Sequence, residues 1–480
     1  MSKRRLALVV PNQRWHKFDL ITTWNIPPRT LCQLGACVED IVEVKIIDAQ
    51  NYQMSIETFC KEISDYNPDF VGISILSTEY ADTLDQAARA VTETVPDAVV
   101  IAGGVHVTTK FYDVIKNPDI DYACRGEGDN VLRGLLLHLI DGDPLPLKGL
   151  VYRDGDRIVS QEKATVPDLS ALPPPNYELV NVDDYTHTLP RYGPGRYPET
   201  PGICLTVSRG CPYECSFCQV PMISGRKIRM HAPTQIVDEL ELLKIQYGIK
   251  SFVLYDDNLF AMRKQAKELL REMVDRKLNL KCHVSSFAIF VIDDEMLDLM
   301  KAAGCIGVNV AIESGSPRVL KEIINKPIKD LEAVPSLITK IKARDMYVLA
   351  NFIIGSPGET WEEIRETISF AENCGADYCK FFIAVPLEGT DMYEMARELD
   401  AFELDHRADT PKLDWRFSQL KSDEWTSKDV SILRVYEWDR INFAPERIEK
   451  TAEIWGVSID ELNQIRHQTR LALQSEAMTA

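Results

Sequence analysis

The chain has 480 residues, 45% hydrophobic and 26% charged, with 54 basic against 73 acidic side chains and a net charge of −19. That length exceeds one ordinary core and points to two or three domains. The acidic balance excludes a large non-specific nucleic-acid surface, which needs a basic footprint, but leaves room for a local basic pocket. The first apolar run, Leu6 to Val10, stops at Pro11. It is too short for a signal-peptide core or a membrane span, so the expectation is a cytoplasmic protein with no membrane span and no nucleic-acid partner.

Five short apolar, β-branched runs read as strands: Leu6–Pro11, Val44–Asp48, Phe70–Leu76, Val99–Gly103 and Tyr122–Arg125. The first four each precede a helix-like stretch, such as Ser55–Tyr66 and Asp82–Thr94. This alternation predicts an α/β domain over residues 1–140, a doubly wound (Rossmann-like) parallel sheet. Ligands of such sheets bind at the carboxyl ends of the strands. Those ends carry Ser77-Thr78, Gly103-Gly104-Val105-His106 and Arg125-Gly126-Glu127-Gly128. Residues 141–200 read as a connector. A hairpin of Leu150–Arg153 and Arg157–Val159 around Asp154-Gly155-Asp156 is followed by Pro173-Pro174-Pro175 and the Gly/Pro-rich Arg191–Gly202.

From residue 201 to 392 the alternation returns. Strands are predicted at Ile203–Ser208, Ser251–Tyr255, Lys281–Ser285, Gly307–Ile312, Val348–Ile354 and Cys379–Val385. Helical stretches at Thr234–Tyr247, Arg263–Arg276, Asp294–Ala303 and Trp361–Cys374 separate them. Six such units in succession predict a partial (β/α)6 barrel, with its active site at the C-terminal strand ends. Residues 393–480 carry Trp415, Trp425, Trp438 and Trp455 and helical stretches at Pro445–Ile454 and Ser458–Leu473. They predict a small helical domain whose tryptophans anchor it to the barrel, since Trp buries a large area per residue.

Of twelve cysteines, nine are scattered and read as small buried apolar residues. The other three stand in Ser208-Arg209-Gly210-Cys211-Pro212-Tyr213-Glu214-Cys215-Ser216-Phe217-Cys218, directly after the first barrel strand. Three thiolates in one loop can each bind one iron of a cubane and leave the fourth iron open. A closed zinc site or an electron-transfer cluster wants a fourth ligand, and the nearest other cysteine, Cys204, lies inside the preceding strand. Spacing alone leaves a redox or structural metal site as the alternative.

C-x-x-x-C-x-x-C with an aromatic before the last cysteine resembles the radical S-adenosylmethionine (SAM) superfamily. The resemblance implies a 4Fe–4S cluster on Cys211, Cys215 and Cys218. It also implies SAM contacts at Phe217, at Asp257 and Asn258 of Asp256-Asp257-Asn258 after the second strand, and at Ser285 on the third. Further contacts are implied at Glu313 and Ser314 after the fourth strand, the carboxylate serving the ribose, at Ile354 and Gly355 at the end of the fifth for adenine, and at Pro386 after the sixth. A doubly wound domain joined by a Pro-rich linker to such a barrel resembles the cobalamin-dependent class, which includes many methyltransferases. Cobalamin contacts are then implied at Ser77, Thr78, Gly103, Gly104, His106 and Glu127. The D-x-H-x-x-G motif that supplies a histidine to cobalt is missing, so His106 stands between a structural histidine and a cobalt ligand. The segment Tyr436–Phe443 resembles C-terminal segments of this class that help enclose substrate.

The implied reaction is methylation of an unactivated carbon or phosphorus centre of a small molecule, by way of a 5′-deoxyadenosyl radical and methylcobalamin. An external electron donor such as flavodoxin or ferredoxin would feed it. Ring closure or oxidative rearrangement with the same cofactors, or a non-methylating enzyme with a vestigial cobalamin domain, are the alternatives. A tRNA methylthiotransferase-like enzyme is disfavoured by the acidic charge. It is also disfavoured because Cys32, Cys37, Cys60 and Cys124 are not placed as a second cluster set.

Overall fold

The computed structural model describes residues 3–15, 26–187, 197–403 and 417–474. Trp415 and the first half of the Gly/Pro-rich stretch over 191–202 lie outside the described residues. The chain divides into two compact units. One comprises 1–190 with 222–224 and 229–235, the other 191–221, 225–228 and 236–480.

The first unit opens with β1 (Arg5–Val10), α1 (Arg29–Ala36), β2 (Glu43–Asp48), α2 (Ile56–Tyr66), β3 (Phe70–Ile75) and α3 (Ala81–Thr94). It continues with β4 (Val99–Gly104), α4 (Val105–Val114), β5 (Tyr122–Cys124), α5 (Asp129–Asp141), β6 (Leu150–Asp154) and β7 (Arg157–Ser160). The sheet order is β2-β1-β3-β4-β5-β6-β7, with the first five strands parallel. Side chains alternate between the two faces of a strand, and the two cores show it. Ala7 and Val9 join Phe59, Ile63, Leu84 and Val91 of α2 and α3 on one face. Leu6 and Leu8 join Leu31, Leu132 and Leu135 of α1 and α5 on the other. The hairpin read above as part of a connector is instead the edge of this sheet. β6 pairs antiparallel with β5, Tyr122 opposite Tyr152, so the unit does not end at residue 140.

The second unit is built on β8 (Gly202–Leu205), β9 (Ser251–Leu254), β10 (Lys281–Phe287), β11 (Cys305–Glu313), β12 (Tyr347–Ile354) and β13 (Tyr378–Ile383). All six are parallel and lie side by side in chain order, with β8 and β13 as open edges. Between them run α6 (Pro233–Tyr247), α7 (Arg263–Asp275), α8 (Asp294–Ala302), α9 (Val334–Lys342) and α10 (Trp361–Asn373). α10 starts from a capping box in which Thr360 and Glu363 satisfy each other's backbone N–H. α11 (Asp391–Glu398), α12 (Ser427–Asn442), α13 (Ile448–Trp455) and α14 (Ile459–Gln474) follow.

The tail belongs to the second unit and is not a separate domain. Asn442, at the end of α12, accepts from the N–H of Cys379 at 2.7 Å and donates to its carbonyl at 2.7 Å, which satisfies the open edge of β13. Trp425 donates to the Glu359 carbonyl at 2.9 Å, Trp438 donates to the Tyr378 hydroxyl at 2.6 Å, and Trp455 packs on the Tyr378 ring. Of the nine scattered cysteines, eight are buried and Cys60 is half-buried. No helix of the described residues is long and apolar enough to cross a membrane.

Candidate active site

The cysteine loop leaves the C-terminal end of β8 and is clamped from both sides. On one side Asp256, just beyond β9, accepts from the N–H groups of Val207 (2.9 Å) and Ser208 (2.5 Å) and from the Ser208 hydroxyl (2.7 Å). Burial pushes the Asp256 carboxyl up to about 6, against those hydrogen bonds. Asp257 accepts from the Gly210 N–H at 3.3 Å. Gly210 has φ +97°, and a Cβ there would stand 2.6 Å from the Lys227 carbonyl, so the turn into Cys211 requires glycine. On the other side Ser216 donates its N–H to Ile324 O (2.9 Å) and its hydroxyl to Ile323 O (2.6 Å), and its own carbonyl accepts from Met392 N. Phe217 packs on Val319, Ile323 and Ile324 beside Met395.

Cys211, Cys215 and Cys218 are all half-buried and free. Among the described residues no three His, Cys, Asp or Glu side chains gather tightly enough to hold a single metal ion. A cubane takes one thiolate per iron, so its ligands stand further apart than those of a one-ion site. Burial pushes the Cys218 thiol up to about 12 and also raises Cys215. Their deprotonation therefore accompanies metal binding. The donor set fits the cluster: three thiols on one braced loop, with the Asn258 amide donating to Cys211 Sγ at 3.5 Å.

Above the loop, Glu313 ends β11 with φ +75°, a left-handed conformation rare for a residue other than glycine. Its carboxylate accepts from Lys326 Nζ at 2.9 Å, with both side chains under 10% exposed. Lys326 escapes sequence reasoning. Burial opposes its charge, but Glu313, Cys215 and Cys211 outweigh burial and raise its pKa. A fixed cation thus stands beside thiols that must become anionic. The Asn258 carbonyl oxygen is buried without a partner among the described residues.

Other predicted SAM residues sort by what already engages them. Ile354 is buried at the end of β12, and Gly355 follows with φ +76°, where a Cβ would meet Val430 at 2.8 Å. Pro386 is buried just after β13. Ser285 hydrogen-bonds Tyr255. Ser314 is engaged through its hydroxyl. It is fully buried, with its hydroxyl 2.9 Å from Thr367 Oγ1 and accepting from Ser316 N at 3.1 Å, so it shapes the turn after Glu313.

At the carboxyl ends of the first unit's sheet, Gly104 has φ +98°, and a Cβ there would stand 2.2 Å from the Ile75 carbonyl. Gly104 is thus required by the backbone, and a side chain there would break β3 against β4 before filling any ligand space. Gly103 is different, since a Cβ would meet nothing nearer than Cys124 at 4.0 Å. Ser77 caps the following turn by accepting from Glu79 N. Thr108 ties two loops together, donating to Gly104 O at 2.9 Å and accepting from Gly126 N at 3.1 Å. Thr78 Oγ1 and His106 Nδ1 are buried without partners among the described residues. Burial and nearby Lys110 lower His106 to about 4, which keeps its ring neutral. Two orphaned polar atoms beside a glycine turn fit a polar cofactor tail. The Glu127 carboxylate is bidentate with Arg229 at 2.7 Å, buried on both sides, and accepts from Val166 N at 2.5 Å. That pair fastens the strand end to residue 229 within the same unit.

Comparison with known proteins shows the family. Residues 205–371 match the radical SAM superfamily model and residues 24–136 the B12 binding domain model. The chain is 31% identical over 401 residues to an uncharacterized methyltransferase of Pyrococcus horikoshii, covering 82% of this chain and 84% of that one. It is 30% identical over 373 residues to cytidylyl-2-hydroxyethylphosphonate methyltransferase of Streptomyces wedmorensis, covering 71% and 69%. Among solved structures, the radical SAM methyltransferase TsrM of Kitasatospora setae, with tryptophan and a SAM analogue bound, superposes with a TM-score of 0.69 at 23% identity, covering 83% and 77%. The chain belongs to the radical SAM superfamily, in the branch that carries a B12-binding domain. It is an enzyme whose cofactors are a 4Fe–4S cluster, SAM and cobalamin.

Proposed function

We propose that this chain methylates an unactivated carbon or phosphorus centre of a small molecule. The observation that carries the reading is the pairing, in one polypeptide, of the braced Cys211–Cys218 loop with a sheet end that holds the orphaned Thr78 and His106. The names of both curated relatives above as methyltransferases support it. When bound, the cluster supplies an electron to SAM and cobalamin supplies a methyl carrier.

The chain's own residues perform the rest. Cys211, Cys215 and Cys218 hold the cluster. Asp256 and Asp257 keep their loop at the strand end. Asn258 directs a proton at Cys211 Sγ, and the Lys326–Glu313 pair places a positive charge beside the thiols while fixing the carboxylate for the ribose. Phe217, Ile354 and Pro386 supply apolar surface that keeps water from the reacting carbon. Gly103 leaves space for the corrin tail. An external low-potential donor in the cytoplasm would reduce the cluster.

The test is anaerobic incubation of the fully reconstituted enzyme with trideuteriomethyl-SAM, a reductant and a small-molecule extract. A product heavier by a trideuteriomethyl group, formed with 5′-deoxyadenosine, supports methylation. 5′-Deoxyadenosine formed with a substrate change that carries no label would move the chain to ring closure or rearrangement.

A further inference from the structure

In a strand, residues two apart share a face, and paired residues of neighbouring strands share it too. Phe352 and Phe381 face the helices, since Phe352 meets Phe370 of α10 and stacks on Phe381. Asn351 and Lys380, each adjacent to one of these, therefore face the opposite, inner side of the barrel sheet. They are paired directly across β12 and β13, and Ala311 of β11 completes the row two residues before Glu313.

One step down the same face stand Leu349 and Tyr378, packed with Phe443, Trp455 and Leu462 of the tail into an apolar floor. Lower on this face, the ring of His283 bridges Asn309 and the Tyr347 hydroxyl at 3.0 Å each. Burial and the charge of Lys380 keep His283 neutral. One step up from Lys380 is Phe382, 47% exposed at the mouth.

Between floor and mouth stand two polar groups without a protein partner among the described residues. The Asn351 carbonyl oxygen is buried with no partner among them. No carboxylate or other acceptor contacts Lys380 Nζ among the described residues, although its removal from water lowers the ammonium to about 8. A half-buried ammonium with no carboxylate partner among the described residues, paired across the strands from Asn351 on the face of the apolar floor, is completed by an anionic group on a ligand.

We infer that Lys380 and Asn351 form a substrate subsite that binds an anionic oxygen group, a phosphate, phosphonate or carboxylate carried by the molecule to be methylated. Lys380 holds the charge. The Asn351 amide N–H2 donates to the anion, its Oδ1 accepts from an O–H or N–H elsewhere on the same ligand, and Phe382 covers the apolar remainder at the mouth. The inference rests on the reading of the barrel as a methylating enzyme's substrate chamber.

The probes are inorganic phosphate, methylphosphonate and acetate, titrated calorimetrically into the cluster- and cobalamin-loaded enzyme. The wild type binds at least one of them, and preference for methylphosphonate or phosphate over acetate identifies the group. Lys380→Met weakens that binding about ten- to a hundredfold, the loss expected for one charge-assisted hydrogen bond. Asn351→Leu weakens it less. Iron content and melting temperature establish that each variant is folded, and Lys380→Gln replaces Lys380→Met should the latter fail to fold. Equal affinity in wild type and the Lys380 variant, or no binding of any probe by the wild type, overturns the inference. A wild type that binds anions through Lys380 but transfers no label from trideuteriomethyl-SAM to a product sinks the methylation reading and leaves the subsite standing. The reverse result does the opposite.

Discussion

Replacing Glu313 by Gln separates what this carboxylate does for SAM from what it does for Lys326. The two side chains are buried together at 2.9 Å, with 7% and 9% exposure. Removing one charge leaves the other uncompensated in a poorly solvated place, which costs about 3–5 kcal/mol. For a unit of this size that corresponds to a fall in melting temperature of roughly 5–9 °C. A double-mutant cycle isolates the pair: Glu313→Gln, Lys326→Met and the double variant, each melted with the cluster loaded and without SAM. The double variant should recover part of the loss, because the orphaned charge is gone. SAM affinity, measured at a temperature where all variants are folded, should fall about tenfold in Glu313→Gln, and the double variant should not restore it. Strictly additive melting shifts would refute the buried pair. Unchanged SAM binding would confine Glu313 to a structural role.

Other expectations are independent of that pair. Glu359 is buried with its carboxyl pushed up to about 8 by burial, against hydrogen bonds from Ser356 and Gly355. Between its ordinary 4.5 and 8 the folded chain keeps a proton that the unfolded chain has lost, so stability should fall as pH rises through that window. Glu359→Gln should flatten the slope in urea melts followed by tryptophan fluorescence, with Trp425 as the adjacent reporter. Gly104→Ala should destabilise the first unit through its clash with Ile75 O, whereas Gly103→Ala should leave melting unchanged and lower only corrin retention after desalting. Equal melting losses at the two positions would contradict the assignment. Asn442→Leu leaves two backbone groups of β13 unpaired and should cost roughly 2–6 kcal/mol in urea unfolding. A cost near zero would mean that water replaces the amide at that edge.

The strands and the cysteine loop are legible in the sequence because their signals are local. Apolar β-branched runs such as Val348–Ile354 mark buried parallel strands, and three cysteines within eight residues need no tertiary context. What escapes reading is pairing at long range. The hairpin looks like a connector until Tyr152 is seen opposite Tyr122. Glu127 looks available at a strand end until Arg229, far along the chain, is found to hold it. Ser314 sits in a motif that suggests ribose, yet its hydroxyl turns inward to Thr367. α12 shows no clean apolar stripe because it is buried on several sides, through Val430, Arg434, Val435 and Asn442. Its Thr426–Asp429 capping box was the available signal. Lys326 and Lys380 look like ordinary surface lysines in the sequence, since the desolvation of their ammonium groups is set by tertiary packing.

The most direct test of the account is the yield of 5′-deoxyadenosine from SAM under anaerobic reduction, with iron and corrin counted on the same samples. Wild-type enzyme should carry close to one 4Fe–4S cluster and one corrin and should produce 5′-deoxyadenosine. The chain with Cys211, Cys215 and Cys218 all changed to Ala should stay folded and keep its corrin, but lose the brown absorbance and the product together. A triple variant that still holds a full cluster, or still cleaves SAM at the wild-type rate, would contradict the account.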